Sequence, residues 1–195
     1  PEGRERGISA AEPHPVFGVK YGTKVIGIHE IRAFLPDTAC FIQYFYGENA
    51  LFALVIAKGD STRLIKIERR KDLDTALLGF ANYSAHKDSL DTYPQKYFDL
   101  ASGIYNSVFA PVLDFRYKKA IIVPDGFLSI IPFDALLTQP YTWNPSKGGF
   151  ADAPYLLFSL QTQVAWSATI LLRYQSPLIS DKPLGRQLAF FAPDE

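Results

Sequence analysis

The sequence predicts an α/β domain, a mixed sheet that opens with an antiparallel meander and carries flanking helices. Three observations lead there. Between residues 39 and 68, segments of period-two alternation are joined by short turns, the spacing of β-hairpins. Apolar residues then recur at three- and four-residue steps in two stretches between 72 and 113, the periodicity of helices that cover a sheet. The continuous apolar run at 120–123 suits a strand covered on both faces, as in a parallel sheet.

Residues 1–18, with Pro1, Pro13, Pro15 and the mixed charges of Arg4, Glu5 and Arg6, read as a linker or tail, and the domain occupies 19–195. A short strand is expected at 23–26. Beyond Gly27, the residues Ile28, Ile31, Phe34 and Leu35 fall on one helical face, and Pro36 ends that helix. Strand 39–46 places Cys40, Ile42, Tyr44 and Tyr46 on one side and Phe41, Gln43 and Phe45 on the other. A turn at 47–49 returns the chain along 51–58, and Gly59-Asp60 turns it again into 63–68.

Leu73, Ala76, Leu77 and Phe80 form the stripe of a helix over about 72–83. After a polar segment at 84–92, a longer helix is expected over 94–113, with Tyr97, Leu100, Ala101, Ile104, Tyr105 and Val108 facing the sheet. Pro111 bends it or helps to stop it. Strand 120–123 closes in the turn signature Pro124-Asp125-Gly126. Residues 128–137 read as a turn with a short helix, 139–153 as a polar loop rich in Gly and Pro, and 155–166 as an extended segment. Ser167 is placed to N-cap a helix over 168–174, and a last buried strand is expected at 187–191.

Composition excludes several classes. Twenty basic residues balance 20 acidic ones, so no general electrostatic footprint marks a nucleic-acid or anionic-lipid partner. The most apolar stretch, 154–172, is interrupted by Ser159, Gln161, Gln163 and Ser167 and falls short of a membrane span. The single cysteine cannot form an internal disulfide, so a cytoplasmic location is expected. Methionine is absent, and the chain stops just after an apolar run, so it is expected to be a piece of a longer protein.

The chemistry-bearing residues are few. Cys40 lies in an apolar strand, where cysteine packs as a small hydrophobe rather than acting as a thiolate. His14, His29 and His86 form neither an HxxxH nor a CxxC-type spacing, so no metal site is predicted. Neither a GxSxG elbow nor a phosphate-cradling glycine motif occurs, and no cofactor is predicted. Asp125 follows a sheet strand, where α/β proteins build sites, but a Pro-Asp-Gly aspartate commonly accepts hydrogen bonds from its own turn. The basic residues Arg69, Arg70 and Lys71 read as a solvated corner between strand and helix. No catalytic, cofactor-binding or metal-binding residue is assigned.

Three segments together resemble the CHAT family, caspase-like domains often found downstream of tetratricopeptide repeats. LPDTA at 35–39, with FIQYF at 41–45 and LFALVI at 51–56, is similar to the family's opening hairpin. IIVPDG at 121–126, with Leu128 and IPFDAL at 131–136, resembles its most recognisable early motif. YLL at 155–157, with Val164 and SATIL at 167–171, resembles its passage from strand to helix. The resemblance spans about 19–195 and implies membership of the clan of caspases, gingipains and separases, whose active members are cysteine peptidases with a His–Cys dyad. The family's His-Ala-Thr-His-Gly and Ser-Ala-Cys types of motif follow everything matched here, and neither occurs in this chain.

The resemblance therefore implies an incomplete caspase-like, pseudo-protease-like architecture: a non-catalytic N-terminal part that supports a missing catalytic half. Implied partners are that C-terminal half, upstream tetratricopeptide repeats, and the protein or peptide substrates of the parent. Self-association through 187–191 is a further expectation, since a strand there would leave a free edge and the apolar Leu188, Phe190 and Phe191 without cover. The alternative is an interaction or signalling module whose parent has no peptidase activity. A third reading, a small-molecule enzyme using Asp125 and Asp134, rests on two loop carboxylates.

Overall fold

The computed structural model describes residues 26–114, 116–147 and 149–174. The expected linker 1–18, His14 and the expected strand at 187–191 lie outside these residues, as does nearly all of the one expected at 23–26. The described residues form the α/β fold that the pattern predicts, a five-stranded mixed sheet between two layers of helices.

The meander follows from its alternation. Strands β1 (Ala39–Tyr46), β2 (Ala50–Ala57) and β3 (Arg63–Glu68) pair antiparallel in sequence order. Gly59, at φ 79°, supplies the left-handed residue that the second turn needs. Strand β4 (Lys119–Val123) lies on the other side of β1 and runs parallel to it, with Cys40 opposite Ala120 and Ile42 opposite Ile122. Strand β5 (Gln161–Val164) adds parallel to β4, so the order is β3-β2-β1-β4-β5.

Strand β1 is central and covered on both faces, so it is buried almost continuously from Ala39 to Tyr44, Gln43 alone being half-buried. Cys40, Ile42 and Tyr44 join Leu51, Ala53, Val55 and Ile122 in the larger core. That core is closed by α2 (Leu73–Ala85), through Leu77 and Phe80, and by α4 (Pro94–Ile104), through Tyr97, Phe98 and Ala101. On the opposite face Phe41, Ile56 and Ile121 lie under Ile31 and Leu35, from the first helix and its exit, and under Leu171. The first helix is α1 (Ile28–Phe34), whose start is held by the Gly27 N–H donating to Glu30 Oε2 at 2.8 Å. Leu171 belongs to α5 (Ala168–Tyr174). Each fully buried Phe or Leu contributes about 1.5–3 kcal/mol by leaving water.

Four details depart from the sequence reading. The helix expected over 94–113 is α-helical only to Ile104 and continues as a π-turn, Tyr105–Phe109, with the Ala110 N–H donating to the Tyr105 carbonyl at 2.8 Å. Pro111 explains the change, because its ring cannot follow an α-turn over the carbonyl four residues back. The polar segment 84–92 contains a one-and-a-half-turn helix, α3 (Lys87–Thr92), which buries no side chain and carries a Lys87–Asp91 pair. Within 155–166 only Gln161–Val164 is strand; Leu156–Phe158 is a 3-10 turn that plugs Leu156 into the core.

The fourth departure is the segment read as a polar loop. Tyr141, Trp143 and Phe150 cluster on Phe98, with ring centroids 4.9, 6.0 and 5.1 Å from it. Gln95 fastens the segment to α4, donating to the Tyr141 carbonyl at 3.0 Å and accepting from the Trp143 N–H at 2.8 Å. The glycines and prolines signalled a loop correctly, but the three aromatics make it a lid on the core. Among the described residues no helix is long and apolar enough to cross a membrane.

Candidate functional site

The parallel strands β1, β4 and β5 point their carboxyl ends the same way, β1 running three residues past Gln43, which lies opposite Val123, and Val164 lying opposite Ile122; this is the end of a sheet where α/β folds place their sites. Pro124 and Asp125 turn the chain out of β4. Asp125 Oδ1 accepts from the Gly126 N–H at 2.9 Å, the hydrogen bond its turn predicts. Its other oxygen accepts from the Tyr46 N–H at 2.8 Å and so latches the end of β1 to the end of β4. Gly126 is at φ 55°, and a Cβ there would stand 2.7 Å from Tyr46 Cγ, so both conformation and space require glycine.

Tyr46 carries the latch into the helical layer. Its hydroxyl donates to Asp74, and Arg69 grips the same carboxylate with two nitrogens. Arg69 also donates to the carbonyls of Gly47 at 3.1 Å and Glu48 at 2.8 Å, and its guanidinium lies 4.8 Å above the Tyr46 ring. Burial, then the Asp74 carboxylate, pushes the Tyr46 phenol up to about 12. The hydrogen bonds from Tyr46 and then Arg69 hold the Asp74 carboxyl below the ordinary carboxylate value. Arg69 is thus a half-buried brace rather than part of a solvated corner, because it joins Asp74 at the start of α2 to the Gly47 and Glu48 carbonyls of the turn after β1, more than twenty residues back in the chain. Arg70 does remain at the surface, paired with Asp72 at 2.7 Å.

Beyond this latch, Pro124, Ser129, Val164, Ala165 and Trp166 line a cavity of about 120 Å³. Trp166 is 90% exposed and Val164 55% exposed, and Phe127 and Ile130, next in sequence to the lining residues Pro124 and Ser129, are exposed as well. Ser167 Oγ accepts from the Ile170 N–H at 3.1 Å, the N-cap its position predicts. A second cavity, about 110 Å³, lies between α2 and α4 against Leu73, Leu100 and Ser107; Arg70 and Asp72 on its rim neutralise each other.

The remaining candidates are dispersed. Cys40 is 1% exposed at the opposite end of β1, and its thiol donates to the Lys119 carbonyl at 3.7 Å. Burial pushes that thiol up to about 12, so it stays protonated near neutrality. The amino end of β4 next to it is tied by Tyr117 and Arg116, both bonded to Asp60. His29 is exposed on α1, and His86 is exposed with Nδ1 2.9 Å from the Asn82 carbonyl. Asp134 accepts from the Thr162 hydroxyl, tying the segment before β5 to that strand. Among the described residues no three His, Cys, Asp or Glu side chains are grouped to hold a metal ion.

The cavity by Trp166 was missed at the sequence level. Its one available signal was a tryptophan between an uncharged strand and an N-cap serine, where a helix start has no use for so large an apolar surface. No family model matches the chain, and no curated protein matches it.

Proposed function

We propose that this chain is the non-catalytic N-terminal part of a CHAT-like cysteine peptidase region and serves as the scaffold for a catalytic half. One observation carries the reading: the three segments of resemblance, separated by up to about a hundred residues, come together as one unit. The first forms the hairpin of β1 and β2, the second β4 with its Asp125 latch, and the third β5 with the capped start of α5. They build one contiguous stretch of the sheet, in which β2 is antiparallel to β1 while β1, β4 and β5 run parallel. In the parent, a thiolate with histidine as base and backbone donors for the oxyanion would hydrolyse a peptide bond. This chain would contribute the sheet, its latch and the surface around Trp166, in a cytoplasmic protein with upstream repeats.

Cleavage assays on a peptide panel test the non-catalytic role. The chain and its Cys40→Ala variant are expected to show no thiol-dependent hydrolysis, and cleavage that disappears with Cys40→Ala overturns the reading. The continuing reading frame tests the other half of it. A His-x-x-His-Gly motif and a later Ser-Ala-Cys motif support a peptidase parent. Their absence favours the interaction module, which the exposed Trp166 and Val164 suit equally well.

A further inference from the structure

Two apolar strips meet at the carboxyl end of the sheet. One is the 3-10 turn Gly126–Ile130, which exposes Phe127 and Ile130. The other is the end of β5 with the residues after it, which expose Val164 and Trp166. The cavity of about 120 Å³ joins them, since Ser129 of the first strip and Val164, Ala165 and Trp166 of the second line it. The four exposed side chains present roughly 500 Å² of apolar surface, the size of the largest patch that a monomer ordinarily carries. Over 123–130 and 161–170 the one charged residue is Asp125, and its carboxylate oxygens already accept from the Gly126 and Tyr46 N–H groups.

We propose that a second copy of this chain docks on this surface about a two-fold axis, with Trp166 as the anchor of the interface. Three properties select a second copy. The surface is nearly free of charge, and the chain's 20 basic and 20 acidic residues cancel, so two identical faces meet without the self-repulsion of a charged patch. A two-fold interface also needs a projection and a recess on the same patch. Here the exposed indole stands beside the cavity, which has room for an aliphatic side chain or the edge of an aromatic ring. Finally, two copies face to face remove about 1,000 Å² of apolar surface through these side chains alone, and a polar rim brings the total to the 1,200 Å² or so at which stable interfaces begin. A tryptophan at the centre of such a patch is the side chain that most often carries the binding energy. The inference rests on the surface alone and is independent of the peptidase reading.

Sedimentation velocity on the full chain, over about 1–200 µM protein, tests it. A reversible shift from the 21.8 kDa monomer to twice that mass is expected, with a dissociation constant of about 1–100 µM. Because the surface is apolar, raising sodium chloride from about 0.05 M to about 1 M should not weaken the association. Trp166→Glu, at a side chain that the fold leaves exposed, is expected to raise the constant about thirtyfold or more. Leu64→Asp, at another exposed apolar position but on β3, is expected to leave it unchanged. Unchanged protection of Cys40 from a thiol reagent will show that both variants stay folded. A chain that is still monomeric at about 200 µM overturns the proposal and leaves the surface to a different protein. Association that survives Trp166→Glu, that Leu64→Asp weakens as much, or that salt dissolves assigns the contact to another surface and overturns it too.

Discussion

The two edges of the sheet are finished differently. β3 carries Arg63, Lys66 and Glu68 on six residues, and it reaches Val55 to Ala50 of β2 through a full ladder. Charges on an edge oppose the approach of another strand, because pairing would strip them of water. β5 has four uncharged residues, and its flanks are a 3-10 turn and a seven-residue helix rather than the long helices that seal the meander. Among the described residues the sheet therefore finishes in a charged strand on the meander side and in an uncharged one on the β5 side. Closure of an edge depends on side-chain chemistry as much as on hydrogen-bond geometry.

The largest effect expected from this contrast lies under the meander. Phe80 is fully buried and stacks 5.4 Å from Tyr97, so Phe80→Ala should cost about 3–5 kcal/mol in urea unfolding. A loss below about 1 kcal/mol would show that the layer under α2 packs less tightly than the burial of Phe80 implies. Gly126→Ala comes next, at roughly 2–3 kcal/mol, because a left-handed backbone and the contact with Tyr46 penalise it together. An unchanged melting temperature would show that the carboxyl end yields more readily than its geometry implies.

Asp74→Asn sharpens the comparison through pH. The folded-state pKa of Asp74 lies below its unfolded value, so its stabilisation is complete above about pH 4 and is lost as pH falls through the lower folded-state value. Melting temperatures across this acidic range should fall less steeply for Asp74→Asn, which should itself cost about 1 kcal/mol at neutral pH. An identical acid profile in both proteins would remove Asp74 from the latch. Cys40 should react with a thiol reagent only as fast as the sheet opens, and rapid labelling without denaturant would contradict its burial. The smallest effect belongs to Leu64→Ala on the charged edge, within about 0.5 kcal/mol, since that side chain is 65% exposed.

Local pattern determined much of this protein. Alternation placed β1 to β3, whose third strand occupies the expected residues, and the continuous run at 120–123 marked a strand covered on both faces. Ser167 announced the start of α5 because an N-cap is a contact within one turn. Cys40 was legible as core because its neighbours in the strand already made it so. Tertiary structure alone decided the rest. Asp125 was readable as a turn residue, but its second hydrogen bond goes to Tyr46, 79 positions away, and only the parallel pairing of β1 with β4 brings the two together. Arg69 looked like a surface charge until Gly47, Glu48 and Asp74 surrounded it. Trp166 is apolar in any reading; that it stands beside β5, the outermost described strand on that side, follows from strand order. Contacts within a turn or along one face repeat with the chain's own period and are written in the sequence, whereas partners brought together by sheet order leave no periodic trace.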